Sequence, residues 1–92
     1  MTDSWTFLTN HAHVLLVIAH EPDVRIRDIA ERVGITQRAV QRIVAELHTE
    51  GYIDIEKEGR RNRYTVRPSQ PLRHDVERGG TVADLLHLVS AR

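Results

Sequence analysis

Three groups of side chains in this sequence have types and spacings that could do chemistry. The first is Arg38, Gln41 and Arg42, with Thr36 and Gln37 just ahead of them. At about 100° per residue on a helix, Arg38, Gln41, Arg42, Ala45 and Thr49 fall opposite an apolar stripe of Val40, Ile43, Val44 and Leu47. Arg and Gln are the side chains that pair two-fold with guanine and adenine edges. They crowd the N-terminal half of this helix, the end that reads a groove. A merely solvated helix face would be equally polar. Arg38 in the first turn and Glu50 in the last, however, both oppose the helix dipole, at about 0.3–1 kcal/mol each. Something other than helix stability accounts for Arg38.

The second group is Arg60, Arg61 and Arg63, with Asn62 among them. The chain is neutral overall, 13 Lys+Arg against 13 Asp+Glu, so no global field points to a polyanion. Between Lys57 and Arg67, however, five cations stand against the single anion Glu58, which leaves the remainder acidic. All the cations but Lys57 are arginine, whose planar fork suits phosphate and guanine, although a compositional bias of the source genome would give the same excess. A charge run is ordinarily just a solvated surface. Three arginines in four residues at a hairpin tip favour phosphate contact. Thr36, Gln37 and Asn62 are further donors, though capping explains Thr36 and turn formation explains Asn62. The four aromatics (Trp5, Phe7, Tyr52, Tyr64) are too few for the stacking platforms of single-strand binders, so duplex DNA is the expected polyanion.

The third group is the six histidines and their neighbouring carboxylates. Asp84 and His87 stand at i, i+3, which suits two metal ligands, and His74 could join them across a dimer. The polar face of a short amphipathic helix produces the same pair, and Asp84 three residues after Thr81 is a capping arrangement. No metal and no cofactor are expected. The chain has no cysteine, which excludes disulfides, Cys-ligated zinc and thiol chemistry. Ser4, Ser69 and Ser90 lie in terminal or linker segments or on the last helix. There is no Gly-rich phosphate loop and no H-E-x-x-H motif, so no enzyme is expected.

Periodicity supplies the elements that position these groups. The 92 residues, 40% of them apolar, are expected to form one domain around one core. Thr9 or Asn10 caps a first helix running to about His20, with Leu8, Ala12, Leu15, Ile18 and Ala19 on one face. An extended piece at Val24 to Ile26 leads into a second helix with Ile26, Ile29, Ala30 and Val33 at i, i+3, i+4, i+7, stopped by Gly34. Thr36 caps the third helix, about 37–50, and Ile35 can staple onto Val40. After Gly51 the period switches to two. Strands at 52–56 and 63–67 flank turn residues 58–62, and the hairpin has a basic tip. Pro68 and Pro71 end it, and a polar linker leads to a last helix from Thr81 to about Ala91. The longest aliphatic run, Val14 to Ala19, is far short of a membrane span, and no basic leader precedes it; a cytoplasmic protein is expected.

Helix, extended piece, helix, tight turn, helix and basic hairpin is the order of a winged helix-turn-helix, mainly α with a small β-hairpin wing. The stretch Ile26 to Val40, followed by Leu47, Gly51-Tyr52-Ile53 and Gly59-Arg60-Arg61-Asn62-Arg63-Tyr64, resembles the small bacterial transcriptional regulators of the MarR/ArsR-like group. The resemblance covers about residues 8–67. It implies a homodimeric regulator of transcription, a repressor by family analogy, with the third helix in the major groove and the wing on the backbone or minor groove. The chain is shorter than a typical MarR protein with its long dimerisation helices, and it lacks the cysteines common in ArsR metal sensors. The class of any small-molecule effector is therefore open.

Apolar surface at the two ends supports the dimer independently. Val82, Leu85, Leu86 and Val89 line the last helix, Trp5 and Phe7 precede the first, and a helix of about eleven residues is marginal alone. A two-fold partner is the expected sink, with residues 72–92 as linker and dimerisation helix and a palindromic DNA site as the consequence. The competing class is a protein-interaction module, a winged helix whose third helix docks on another protein and whose wing binds nothing. The neutral overall charge keeps that reading open.

Overall fold

The structure is a computed structural model that describes residues 5–89. Helix α1 spans Asn10–His20, α2 Ile26–Val33 and α3 Gln37–Thr49; strands β1 (Ile53–Glu58) and β2 (Arg61–Val66) form an antiparallel hairpin, and α4 spans Val82–Val89. The Thr9 hydroxyl caps α1 by accepting from the Ala12 amide at 3.2 Å, and Thr36 caps α3 by accepting from Ala39 at 3.0 Å. Between α2 and α3, Gly34 takes the left-handed conformation at φ +86°, with its amide on Ala30 O. No Cβ is strained there, so the chain reverses within three residues.

The core joins all the elements except the hairpin tip. Val40, Ile43, Val44 and Leu47 of α3 are buried, as the periodicity predicts, against Val14, Leu15 and Ile18 of α1, Ile29 and Ala30 of α2, and Ile53, Tyr64 and Val82. On α1 the expected face is rotated. Val14 is fully buried while Leu8, Ala12 and Ala19 are half-buried. The reason is that α1 is apolar nearly all round, so its own pattern does not select a face and the packed neighbours do. Val24 is buried in the expected extended piece, but that piece forms no strand; Pro22 O instead accepts the Tyr64 amide of β2 at 2.8 Å.

The hairpin is longer and its turn tighter than the sequence suggested. Pairing runs from Ile53↔Val66 to Glu58↔Arg61, leaving only Gly59 and Arg60 in the loop. Gly59 has φ +64° and Arg60 does not have a positive φ, the signature of a two-residue turn with glycine first. Arg61, Asn62 and Arg63 therefore belong to β2 and only Arg60 sits at the tip.

The expected polar linker is a packed strap. Tyr52 donates its hydroxyl to Pro71 O at 2.6 Å, Gln70 Nε2 donates to Gly51 O at 2.9 Å, and the Val82 and Ala83 amides bond back to Gln70 O and Pro68 O. A 3₁₀ turn over Asp75–Glu77 is capped reciprocally by His74 and Glu77. Through this strap Val82 enters the core at 1% exposure and has no surface left for a partner, which removes it from the dimerisation set. Leu85 and Leu86 are half-buried against the core; Val89, Leu88, Trp5 and Phe7 are exposed. The expected continuation of the last helix to Ala91 lies outside the described residues.

Val82→Ala deletes two buried methyl groups and is expected to cost about 1.5–3 kcal/mol in urea unfolding, against under about 0.5 kcal/mol for Val89→Ala.

Candidate nucleic-acid interface

Burial of its apolar stripe turns the opposite side of α3 outward, and Gln37, Arg38, Gln41, Arg42, Ala45 and Thr49 are all exposed. The first turn of α3 carries no acidic residue, so the positive end of the helix is uncompensated beside Arg38. The Thr36 hydroxyl oxygen is occupied as the cap acceptor, and its hydrogen remains available to donate. Arg42 is not free. Its guanidinium is 3.6 Å from Glu46, one turn on, and that carboxylate is also 2.7 Å from His11 Nε2 of α1. The His11 hydrogen bond, with the Arg42 charge adding to it, holds the Glu46 carboxyl below the usual carboxylate range.

The basic run of the hairpin divides by what each cation touches. Arg67 makes a two-bond fork onto Asp54, Nε to Oδ2 at 3.0 Å and Nη2 to Oδ1 at 2.7 Å. That hydrogen bonding lowers the Asp54 pKa and raises that of Arg67. Arg61 donates from Nη2 to Asp23 O at 2.6 Å, on the turn between α1 and α2. Asn62 is half-buried on the inward face of β2 beside Tyr64 rather than at a solvated tip. Among the described residues Arg38, Lys57, Arg60 and Arg63 enter no ion pair. The cations left for a polyanion are thus fewer than the sequence implied.

One residue escaped the sequence reading. Arg25 is exposed ahead of α2 and lines a cleft of about 360 Å³ together with Arg60, Arg61 and Asn62. It occupies the N-cap position without a capping bond, a place where a cation opposes the dipole. That mismatch is the signal that could have found it, as it found Arg38.

A second concavity lies between α1, the end of α3 and α4. A groove of about 660 Å³ is floored by Leu15, Leu47, Leu72, Val82 and Leu85, and His11, Glu46, Glu50 and Arg73 stand on its rim. His74, once a candidate ligand, accepts the Val76 amide at Nδ1; Asp84 accepts the Thr81 amide; His87 is within 3.3 Å of Ala83 O. Among the described residues no three His, Asp or Glu side chains are grouped to hold a metal ion, and no helix is long and apolar enough to cross a membrane.

Residues 6–63 match the family model of the MarR family. Solved structures similar to the chain include the transcriptional regulator PcaV of Streptomyces coelicolor, at 26% identity and a TM-score of 0.55 over 64% of this chain and 46% of that one. ZitR of Lactococcus lactis in complex with DNA is similar at 21% identity and a TM-score of 0.57, over 73% and 48% of the two chains. MepR, a transcription regulator of the Staphylococcus aureus multidrug efflux pump MepA, is similar at 14% identity and a TM-score of 0.59, over 90% and 55%. The chain spans about half the length of these proteins. A comparison with curated protein sequences finds no match.

Asp54 and Glu46 both have folded pKa values below their ordinary ones, so each contributes stability that is present above the ordinary carboxylate pKa and lost as pH falls through the folded value. The stability of the protein should therefore decline below about pH 4.5. Asp54→Asn should flatten part of that acid limb in urea titrations at several pH values.

Proposed function

Because the chain belongs to the MarR family, we propose that it is a sequence-specific regulator of transcription that binds double-stranded DNA as a homodimer and acts as a repressor. The observation that carries this reading is the outer face of α3. Arg38 and Gln41 stand exposed at its N-terminal half, and Arg38 has no anionic partner among the described residues. In this reading Arg38, Gln41 and Arg42 address base edges in the major groove, with Thr36 and Gln37 on the adjacent phosphates. Arg60 and Arg63, with Asn62 in support, meet the backbone or minor groove, and Arg25 joins them from the start of α2.

The dimer rests on exposed apolar side chains at both ends of the described chain: Trp5 at 75%, Phe7 at 90% and Leu88 at 70% exposure, with Val89 beside them. An isolated apolar residue is normal on a surface, whereas Trp5 and Phe7 stand edge to face with ring centroids 4.8 Å apart, and Leu88 and Val89 are consecutive. A two-fold pair would set two copies of α3 about 34–36 Å apart on a palindromic site. The 660 Å³ groove is the place we assign to a small-molecule effector, since it is apolar at its floor, polar at its rim, and runs from α1 to α4 past the end of α3. A structure of PcaV holds its natural ligand. The cell compartment in this reading is the cytoplasm.

Binding to duplex DNA should weaken steeply with salt, and an adaptor that binds only protein would show no such dependence. Arg38→Ala should cost about 1–3 kcal/mol on the preferred site, selected from a random duplex pool, and relax sequence preference. Arg60→Ala or Arg63→Ala should weaken all sequences alike and flatten the salt slope by roughly one unit. In sedimentation, Leu88→Glu with Val89→Glu should convert the dimer to a folded monomer. Leu85 and Leu86 are unsuitable for that test because they pack on the chain's own core.

A further inference from the structure

A two-stranded hairpin is at best marginally stable by itself, and here it must project at a defined angle from the helices. Two consecutive carbonyls of the turn between α1 and α2 reach β2. Pro22 O accepts the Tyr64 amide at 2.8 Å, and Asp23 O accepts Arg61 Nη2 at 2.6 Å, three residues nearer the tip. Beyond Arg61 only the Gly59-Arg60 turn remains. The inner face of the hairpin is anchored at its base by Ile53 and Tyr64, which are buried, whereas the strand ends toward the tip carry only exposed or half-buried side chains. Among the described residues, the hydrogen bond nearest the tip that ties the wing to the helical part is therefore that of the Arg61 guanidinium.

We propose that Arg61 is a positioning residue that fixes the angle of the wing by bracing β2 against the turn that precedes α2, and that it is not itself a phosphate ligand. This rests on the reading of the hairpin as a DNA-contacting wing. Arg61 is drawn toward the turn carbonyl, so in this proposal its removal takes no phosphate contact from the DNA backbone. The flanking Arg60 and Arg63 have no such tie among the described residues and carry the phosphate contacts.

The decisive measurement needs no DNA. Amide hydrogen exchange by NMR should show the Tyr64 amide exchanging roughly tenfold faster in Arg61→Ala than in the wild type, because loss of the distal brace lets the strand lift off Pro22. Arg60→Ala and Arg63→Ala should leave that amide unchanged. Arg61→Lys, which keeps one donor of similar reach, should restore most of the protection. If Tyr64 protection is unchanged in Arg61→Ala, or falls equally in Arg60→Ala, the brace is wrong even if the protein binds DNA. Where duplex binding is observed, Arg61→Ala should lower affinity several-fold with the salt slope kept, while Arg60→Ala reduces the slope by roughly one unit. A slope reduced in Arg61→Ala as well would overturn the second half of the proposal and make Arg61 a phosphate ligand.

Discussion

Everything the outer surface of α3 offers depends on the burial of its inner stripe. Each fully buried aliphatic side chain contributes about 1.5–3 kcal/mol, and α3 sinks four of them, Val40, Ile43, Val44 and Leu47, between α1, α2 and β1. An exposed ion pair is worth under about 1 kcal/mol, so Arg42 with Glu46 cannot rotate the helix against that load. The 3.6-residue period then carries Arg38, Gln41 and Arg42 to the opposite side. The tight turn at Gly34 and the cap at Thr36 add a fixed angle to α2, so the outward face is held on a rigid frame rather than on a loop.

The same frame sorts the arginines. A guanidinium within reach of a carboxylate or an unpaired carbonyl takes it, as Arg67 takes Asp54, Arg61 takes Asp23 O and Arg32 takes Glu21. Among the described residues, what remains without an ion pair is a smaller set that includes Arg25, Arg38, Arg60 and Arg63. Neutral net charge is thus compatible with a local cationic surface, because cations paired with carboxylates, such as Arg67 and Arg32, are cancelled in place, whereas Arg61 keeps its charge on the hairpin beside Arg60 and Arg63. Glu46 links this surface to α1 through His11, so the setting of Arg42 depends on a residue of another helix.

The segment after the hairpin acts as a strap rather than a linker. Prolines at 68 and 71 prevent it from continuing a strand, and their carbonyls are then free to accept from Ala83 and from the Tyr52 hydroxyl. This closure brings Val82 into the core and leaves Leu88 and Val89 at the surface, near the far end of the same short helix. The helix is thereby divided lengthwise between one end that completes this chain and another that remains apolar and uncovered.

Secondary structure was legible in the sequence because its signals are local: the Thr9 and Thr36 caps, Gly34 and Gly51 as stops, and the buried stripe of α3 all lie within one or two turns of what they control. Where the local signal was degenerate, the reading failed. From Val14 to Ala19 α1 is apolar nearly all round, so its own pattern does not single out Val14; the polar segment from Pro68 to Gly80 carried no period at all, so its packing was invisible. Arg60, Arg61 and Arg63 are the same residue type within four positions, and nothing in the sequence distinguishes them. The sequence by itself determined which residues share a helix face or a strand face, since those periods are properties of the backbone. Only the tertiary structure decided which polar groups are spent, because the partners that spend them, Asp23 for Arg61 and Glu46 for His11, lie 38 and 35 residues away and meet only when the helices pack.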